Sequence, residues 1–361
     1  MNRPAILPSL ACAGLLALGA LAPTPGAARP LYAIARSVNL PGDGGWDALT
    51  YEPGGHRLFI AHGTQVDVID TEHLTVLGAI RDTPGVHAVA LAPELKRGYV
   101  SAGGSDTVVV FDLATLARLK DIKTTGANPD AILYEPATRR VLAFNGRGRN
   151  VTVIDAATET VTATIALDGK PEFAVGDGQG RVYVNLEDKN SVAVIDARTL
   201  AVSAVWPLTG CERPTGIALD ARGGQLFSAC GNRVLVALEI ASGRVLGSAP
   251  IGAGADGAAY DPSARLAFAS CGEGVLSVVA PRPNAPPETV QSVITQRGAR
   301  TMALDERTHR VYLVTASYAG QPEPPANPRQ RPETLPDTFR LLVLESHPIA
   351  ETMSRPQGTT P

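Results

Sequence analysis

Seven side chains in this sequence recur about 42 residues apart: Asp47, His87, Asp130, Glu172, Thr215, Asp256 and Arg300. Four carboxylates and an imidazole gathered at one place would suit a divalent cation. Hard carboxylate oxygens favour calcium or magnesium, and a histidine ligand admits zinc or manganese. Only neighbours in such a set can share one ion, so Asp47, His87 and Asp130 form the best arc, with His62 as a fourth candidate ligand. The same set also reads as an ion-pair ring that hydrates a cavity, because Arg300 stands among the acids. Other chemistry is thinly represented. No CxxC or CxxCH occurs, which excludes covalent c-type haem attachment and the common zinc knuckle. No nucleophile motif or cofactor signature is present, and the glycine-bearing turns precede no helix whose dipole would cradle a phosphate.

The elements that must position these residues are short strands. One unit of about 42 residues recurs seven times. Its second strand reads Arg57-Leu-Phe-Ile-Ala, Arg97-Gly-Tyr-Val-Ser, Arg140-Val-Leu-Ala-Phe, Arg181-Val-Tyr-Val-Asn, Gln225-Leu-Phe-Ser-Ala, Arg265-Leu-Ala-Phe-Ala and Arg310-Val-Tyr-Leu-Val. The third strand follows as Val66-Asp-Val-Ile-Asp70, Val108-Val-Val-Phe-Asp112, Val151-Thr-Val-Ile-Asp155 and Val192-Ala-Val-Ile-Asp196, with looser copies after Leu235 and Leu276. Such β-branched and aromatic runs, bounded by Gly, Asp, Asn and Pro, form strands. A repeat of this length with four strands per unit is the pattern of propeller blades. The fold expected is therefore all-β: a seven-bladed β-propeller with four-stranded antiparallel blades starting near residues 46, 86, 129, 171, 214, 255 and 299. Innermost strands line the channel, so the seven recurrent residues fall at its mouth.

Blade 7 has no fourth strand of its own in sequence. The orphan segment Tyr32–Leu40 resembles one, and pairing it with blade 7 would close the ring and remove an exposed edge. Two stretches break the period: residues 280–287 lengthen a connection in blade 6, and the proline-rich 317–337 insertion in blade 7 is a loop or flap over the mouth. Asp70, Asp112, Asp155 and Asp196 end successive third strands and are turn caps rather than catalytic acids. In the loops of the mouth face, Arg147, Arg149 and Lys189 could draw an anion, opposed by Glu187 and Asp188; ordinary tight turns explain them as well.

The N-terminus reads as an export signal, residues 1–28: Arg3, the apolar stretch Ala5–Ala22, and small residues at Gly26-Ala27-Ala28 with cleavage near Ala28. Pro8 interrupts a run already short for a bilayer, and Cys12 lacks a lipoprotein box. The propeller then occupies 29–347, followed by a flexible tail, 348–361. No later segment could span a membrane. Cys211, Cys230 and Cys271 remain after cleavage, and an exported protein meets oxidising conditions. A Cys211–Cys230 disulfide at the entrance of blade 5 is expected, with Cys230–Cys271 as the rival pair. A formal net charge of −3 and no basic run argue against nucleic acid as a partner.

The recurrent RVYVxN and xVxVID segments, of which Arg181-Val-Tyr-Val-Asn185 is the nearest to the pattern, resemble the YVTN-repeat (YncE-type) β-propeller proteins of bacteria. So do Pro171-Glu-Phe-Ala-Val, Asn185-Leu-Glu-Asp-Lys-Asn190, Cys211-Glu-Arg-Pro-Thr-Gly216 and Gly298-Ala-Arg-Thr301. The resemblance spans essentially residues 30–346. It implies a seven-bladed propeller of the cell envelope, periplasmic or secreted, and implies no reaction. The function expected is a monomeric, non-catalytic binding or scaffold protein that takes a small ligand or an envelope protein partner at the channel mouth. Two alternatives stand beside it: a metal-dependent hydrolase of the lactonase kind, in which a cation on the Asp47/His87/Asp130 arc polarises a carbonyl or activates water, and a partner of a periplasmic redox enzyme.

Overall fold

The computed structural model describes residues 31–282, 285–320 and 333–347. The segment expected to be an export signal, residues 1–28, and the residues beyond 347 lie outside the described residues, as does most of the 317–337 insertion. Seven four-stranded antiparallel sheets follow one another around a ring. Blade 1 illustrates the unit: Trp46–Glu52, Arg57–His62, Gln65–Asp70 and Thr75–Ile80 pair in sequence order from the channel outward. Local sequence sets each turn. The residue immediately before the second strand has positive φ in all seven blades: His56, Lys96, Arg139, Gly180, Gly224, Arg265 and His309. A left-handed residue closing a tight turn matches the twist of the strands it joins.

The third-strand aspartates do cap turns. Asp112 Oδ1 accepts the backbone N–H groups of Ala114 and Thr115, and Asp155 Oδ1 those of Ala157 and Thr158. These backbone bonds stabilise the charged form and hold both carboxyls below the usual range.

Each apolar cluster lies between the faces of neighbouring blades rather than within one sheet. The aromatic residue of each second strand (Phe59, Tyr99, Phe144, Tyr183, Phe227, Phe268, Tyr312) is fully buried there. Polar side chains then stitch blade to blade. Thr50 Oγ1 donates to Val89 O (2.8 Å), Asn185 Nδ2 to Thr215 O (2.9 Å), Thr215 Oγ1 to Ala255 O (2.8 Å) and Thr301 Oγ1 to Asp47 O (2.7 Å). These bonds satisfy inner-strand carbonyls that face a neighbouring sheet, groups that are costly to bury unpaired.

The ring closes as the orphan segment requires. Leu31–Asn39 pairs antiparallel with Arg340–His347, giving blade 7 its outer strand, while Met302–Asp305 and Arg310–Thr315 complete the sheet. The proline-rich stretch of blade 6 differs from a simple long connection. Its strands Val275–Arg282 and Ala285–Ile294 continue past the ordinary blade length through two register shifts. Pro286 and Pro287 are tolerated because they fall in the second register shift of the outermost strand, between the Ala280–Glu288 and Arg282–Ala285 pairs, where neither has a ladder partner among the described residues.

Candidate functional site

In blades 1 to 6 the register between first and second strands shifts right at the recurrent residue: between Trp46 and Leu49, Val86 and Ala88, Pro129 and Ile132, Pro171 and Ala174, Pro214 and Ile217, and Ala255 and Gly257. A bulge re-aims a side chain that regular pleating would send elsewhere. The preceding residue in each strand (Trp46, Val86, Pro129, Pro171, Pro214, Ala255) is buried, while Asp47, His87, Asp130, Glu172, Thr215 and Asp256 are half-buried. Arg300 precedes the first regular strand of blade 7, and its carbonyl accepts the N–H of Gly257 (2.8 Å). One device, repeated blade by blade, thus presents a side chain at the channel mouth. Below the mouth the channel is mainly apolar, with Leu49, Phe173, Ile217 and Met302 around a void of about 170 Å³.

The mouth residues form two arcs joined at Asp47. In one, His87 Nδ1 lies 2.8 Å from Asp47 Oδ2 and 3.5 Å from Asp130 Oδ1, and Asn128 Nδ2 donates to His87 Nε2 (3.2 Å). In the other, Arg300 Nε donates to Asp256 Oδ2 (2.7 Å) and a terminal guanidinium nitrogen to Trp46 O (2.8 Å), with Asp47 Oδ1 at 3.9 Å. Glu172 belongs to neither arc. It pairs with Lys170, which also holds Glu187 Oε2 at 2.5 Å. Thr215 spends its hydroxyl on the Ala255 carbonyl and serves the seam between blades 5 and 6.

Crowding half-buried carboxylates at the channel mouth has an electrostatic consequence. Burial raises Asp256 to about 6 even though Arg300 pulls the other way. Burial also raises Asp130, with the His87 contact opposing and the Asp47 charge adding to the rise. Glu172 moves up as well, through burial first and then the charge of Asp130.

Donor atoms of Asp47, His87 and Asp130 lie within 4.8 Å of one another, close enough for one cation. His62 is elsewhere. It is buried behind the strap that leads from the clasp strand into blade 1, bonds Asp67 Oδ2 through Nδ1 (2.7 Å) and stacks on Phe339 at 4.2 Å. Its place at the end of the second strand makes His62 a candidate fourth ligand. Here the side chain turns outward into the blade 1–blade 7 seam, so His62 is not part of the arc. Two of the three loop cations are also engaged: Arg149 pairs with Asp188 (2.6 Å) and Lys189 with Asp168 (3.7 Å).

Beside the Arg300 arc, between blades 6, 7 and 1, opens a pocket of about 460 Å³. Trp46, Arg297, Arg300 and Tyr318 line it with the backbone of Gly44, Gly45, Gly272 and Gly298, and Glu333 and Thr334 complete the wall. The sequence reading did not pick out Asn128, Lys170, Trp46 or Arg297. For Asn128 and Lys170 a signal existed: each stands immediately before the proline that opens an inner strand. In the pocket, Trp46 and Arg300 hold repeat positions, whereas Arg297, Tyr318 and Glu333 carry no repeat signature.

Cys211 and Cys230 form the disulfide, with Cα atoms 5.4 Å apart, and Cys271 is a buried free thiol. Among the described residues no helix is long and apolar enough to cross a membrane.

No protein-family model matches the chain, and no curated protein matches it. Solved structures do. A chain of Kuenenia stuttgartiensis hydrazine synthase is similar at 18% identity and TM-score 0.67, covering 76% of this chain and 93% of that one. A chain of a mitotic checkpoint complex is similar at 12% identity and TM-score 0.71, covering 93% and 98%. The structure of U3-55K is similar at 10% identity and TM-score 0.72, covering 86% and 99%. At such identities the likeness speaks for architecture and not for chemistry, and what it establishes is that this chain is a seven-bladed β-propeller.

Proposed function

We propose that this protein is an exported, non-catalytic binding propeller of the YVTN-repeat type that takes a small ligand at the mouth of its channel. The observation that carries this reading is the 460 Å³ pocket, which opens directly onto the Arg300 arc and offers two aromatic rings, arginine and glycine backbone on one concave wall. Sites of this size, largely apolar with a few convergent polar groups, suit small molecules. The Cys211–Cys230 disulfide supports an oxidising compartment, as the export reading of residues 1–28 requires. Trp46 and Trp206 are the two tryptophans, so a Trp206→Phe protein reports from the pocket alone. Compounds that change its fluorescence saturably should lose affinity on Arg300→Met. If every such compound bound the Arg300→Met protein unchanged, the mouth would not be the site.

A second reading rests on the Asp47/His87/Asp130 convergence. A cation there would take the place of the Nδ1 proton that His87 shares with Asp47, and with an open coordination position it would supply Lewis-acid chemistry of the lactonase kind. Protein equilibrated with zinc, manganese or calcium should then retain one equivalent, and His87→Ala should abolish retention. Substoichiometric metal with no lactone turnover sinks this reading and leaves the first intact.

A further inference from the structure

We propose that the pocket between blades 6, 7 and 1 selects a small zwitterion, an amino acid or short peptide, through Arg297 and Glu333. This rests on the reading of the mouth as a ligand site and names its ligand class. Both charged side chains line the same concavity, yet they do not pair with each other, and neither forms an ion pair among the described residues. Arg297 is held instead by an aromatic face, its guanidinium 4.9 Å from the centre of the Tyr318 ring. Tyr318 is itself wedged. A Cβ at Gly298 (φ +86°) would stand 2.1 Å from its hydroxyl oxygen, so only glycine permits the ring to sit there. Glu333 is placed at the pocket rim by its backbone: its carbonyl accepts the N–H of Ala319 (3.0 Å), next to a bridge between Tyr318 and Thr334.

The charge pattern restricts the ligand. Arg300 is engaged by Asp256, with Asp47 beside it, and forms a polar floor rather than an open anchor. Among the described residues that leaves one cation on the wall, Arg297, and one anion at the rim, Glu333. A simple carboxylic acid would satisfy Arg297 but face Glu333, and a simple amine would do the reverse. A molecule with both groups satisfies both, its carboxylate on Arg297 and its ammonium at the rim, each as a charge-assisted contact. Trp46, Tyr318 and the glycine backbone line the same concavity and supply the apolar surface that a ligand side chain would face.

The test uses the full chain carrying Trp206→Phe and three free dipeptides, glycyl-phenylalanine, glycyl-leucine and glycyl-alanine, each also as its N-acetyl form and its C-terminal amide. At least one free dipeptide should change Trp46 fluorescence saturably. Blocking either end should weaken it about tenfold or more, as loss of one charged contact does. Arg297→Gln should erase the preference for a free carboxylate, and Glu333→Gln the preference for a free amine. Equal binding of free and blocked forms, with affinity lost on Gly298→Ala, would overturn the zwitterion assignment while retaining the mouth as a site. Failure of all three free dipeptides, with other compounds still binding in an Arg300-dependent way, would overturn the assignment alone.

Discussion

The side-chain amide of Gln291 bonds Tyr32 through both of its polar atoms. Oε1 accepts the backbone N–H of Tyr32 (2.9 Å) and Nε2 donates to its carbonyl (2.8 Å), across 259 residues of sequence. Tyr32 therefore engages blade 6 while its own strand completes blade 7. Its ring packs edge-on against Phe268 at 5.0 Å and is 2% exposed. The clasp is thus locked across a blade seam as well as along a strand.

Truncating this lock should loosen the ring. Tyr32→Ala is expected to cost about 3 kcal/mol or more, from lost burial and the cavity left at Phe268. Gln291→Leu should cost about 1 kcal/mol for the two backbone bonds. Urea denaturation of both variants measures this; equal stability of Tyr32→Ala and the parent would mean the clasp does not hold the ring.

The three cysteines of the propeller should behave differently. A non-reduced digest should yield one linked peptide pair, Cys211–Cys230, closing a loop with sequence separation 19. Replacing both by alanine is expected to remove about 3 kcal/mol of stability. Burial pushes the Cys271 thiol up to about 11, so iodoacetamide should label it only after unfolding.

Asp256 gives the fold a definite pH dependence. Its carboxyl titrates near 3.8 in the unfolded chain and at about 6 in the folded one. Between those values the folded protein keeps a proton that the unfolded chain has released. This group's contribution to stability therefore falls as pH rises from about 4 to about 6, then levels off, by at most about 3 kcal/mol. Asp256→Asn removes that slope, so its stability deficit relative to the parent should be widest at pH 4 and narrow toward pH 6. A deficit that is constant with pH would contradict the shift.

Thr215 should separate seam from site. Its hydroxyl bonds the Ala255 carbonyl, so Thr215→Val should cost about 1–2 kcal/mol by leaving that acceptor unserved. Ligand affinity at the mouth should be unchanged. A variant of parental stability with altered binding would return Thr215 to the mouth.

Much of this architecture could be read from the chain alone, because propeller information is local and repeated. The Arg-x-aromatic second strands, the aspartate-capped turns and the 42-residue period each repeat a signal several times. The missing fourth strand of blade 7 pointed to Tyr32–Leu40 by subtraction, and strand pairing there follows from a need to cover an edge. The same repeat brought Asp47, His87 and Asp130 to one rim, because equivalent positions in adjacent blades are neighbours by symmetry. What the period could not carry is whatever departs from it. His62 and Thr215 occupy repeat positions, but their neighbours differ: Asp67 and Phe339 draw one into a seam, and the Ala255 carbonyl draws the other. The pocket of Trp46, Arg297, Tyr318 and Glu333 is built where the ring closes, from the end of blade 6, the blade 7 insertion and the start of blade 1. Sequence alone determined the blades and the ring they make. Only the tertiary structure decided which side chains meet across the closure, since those contacts join segments more than 200 residues apart whose side-chain directions are set by packing and not by any local pattern.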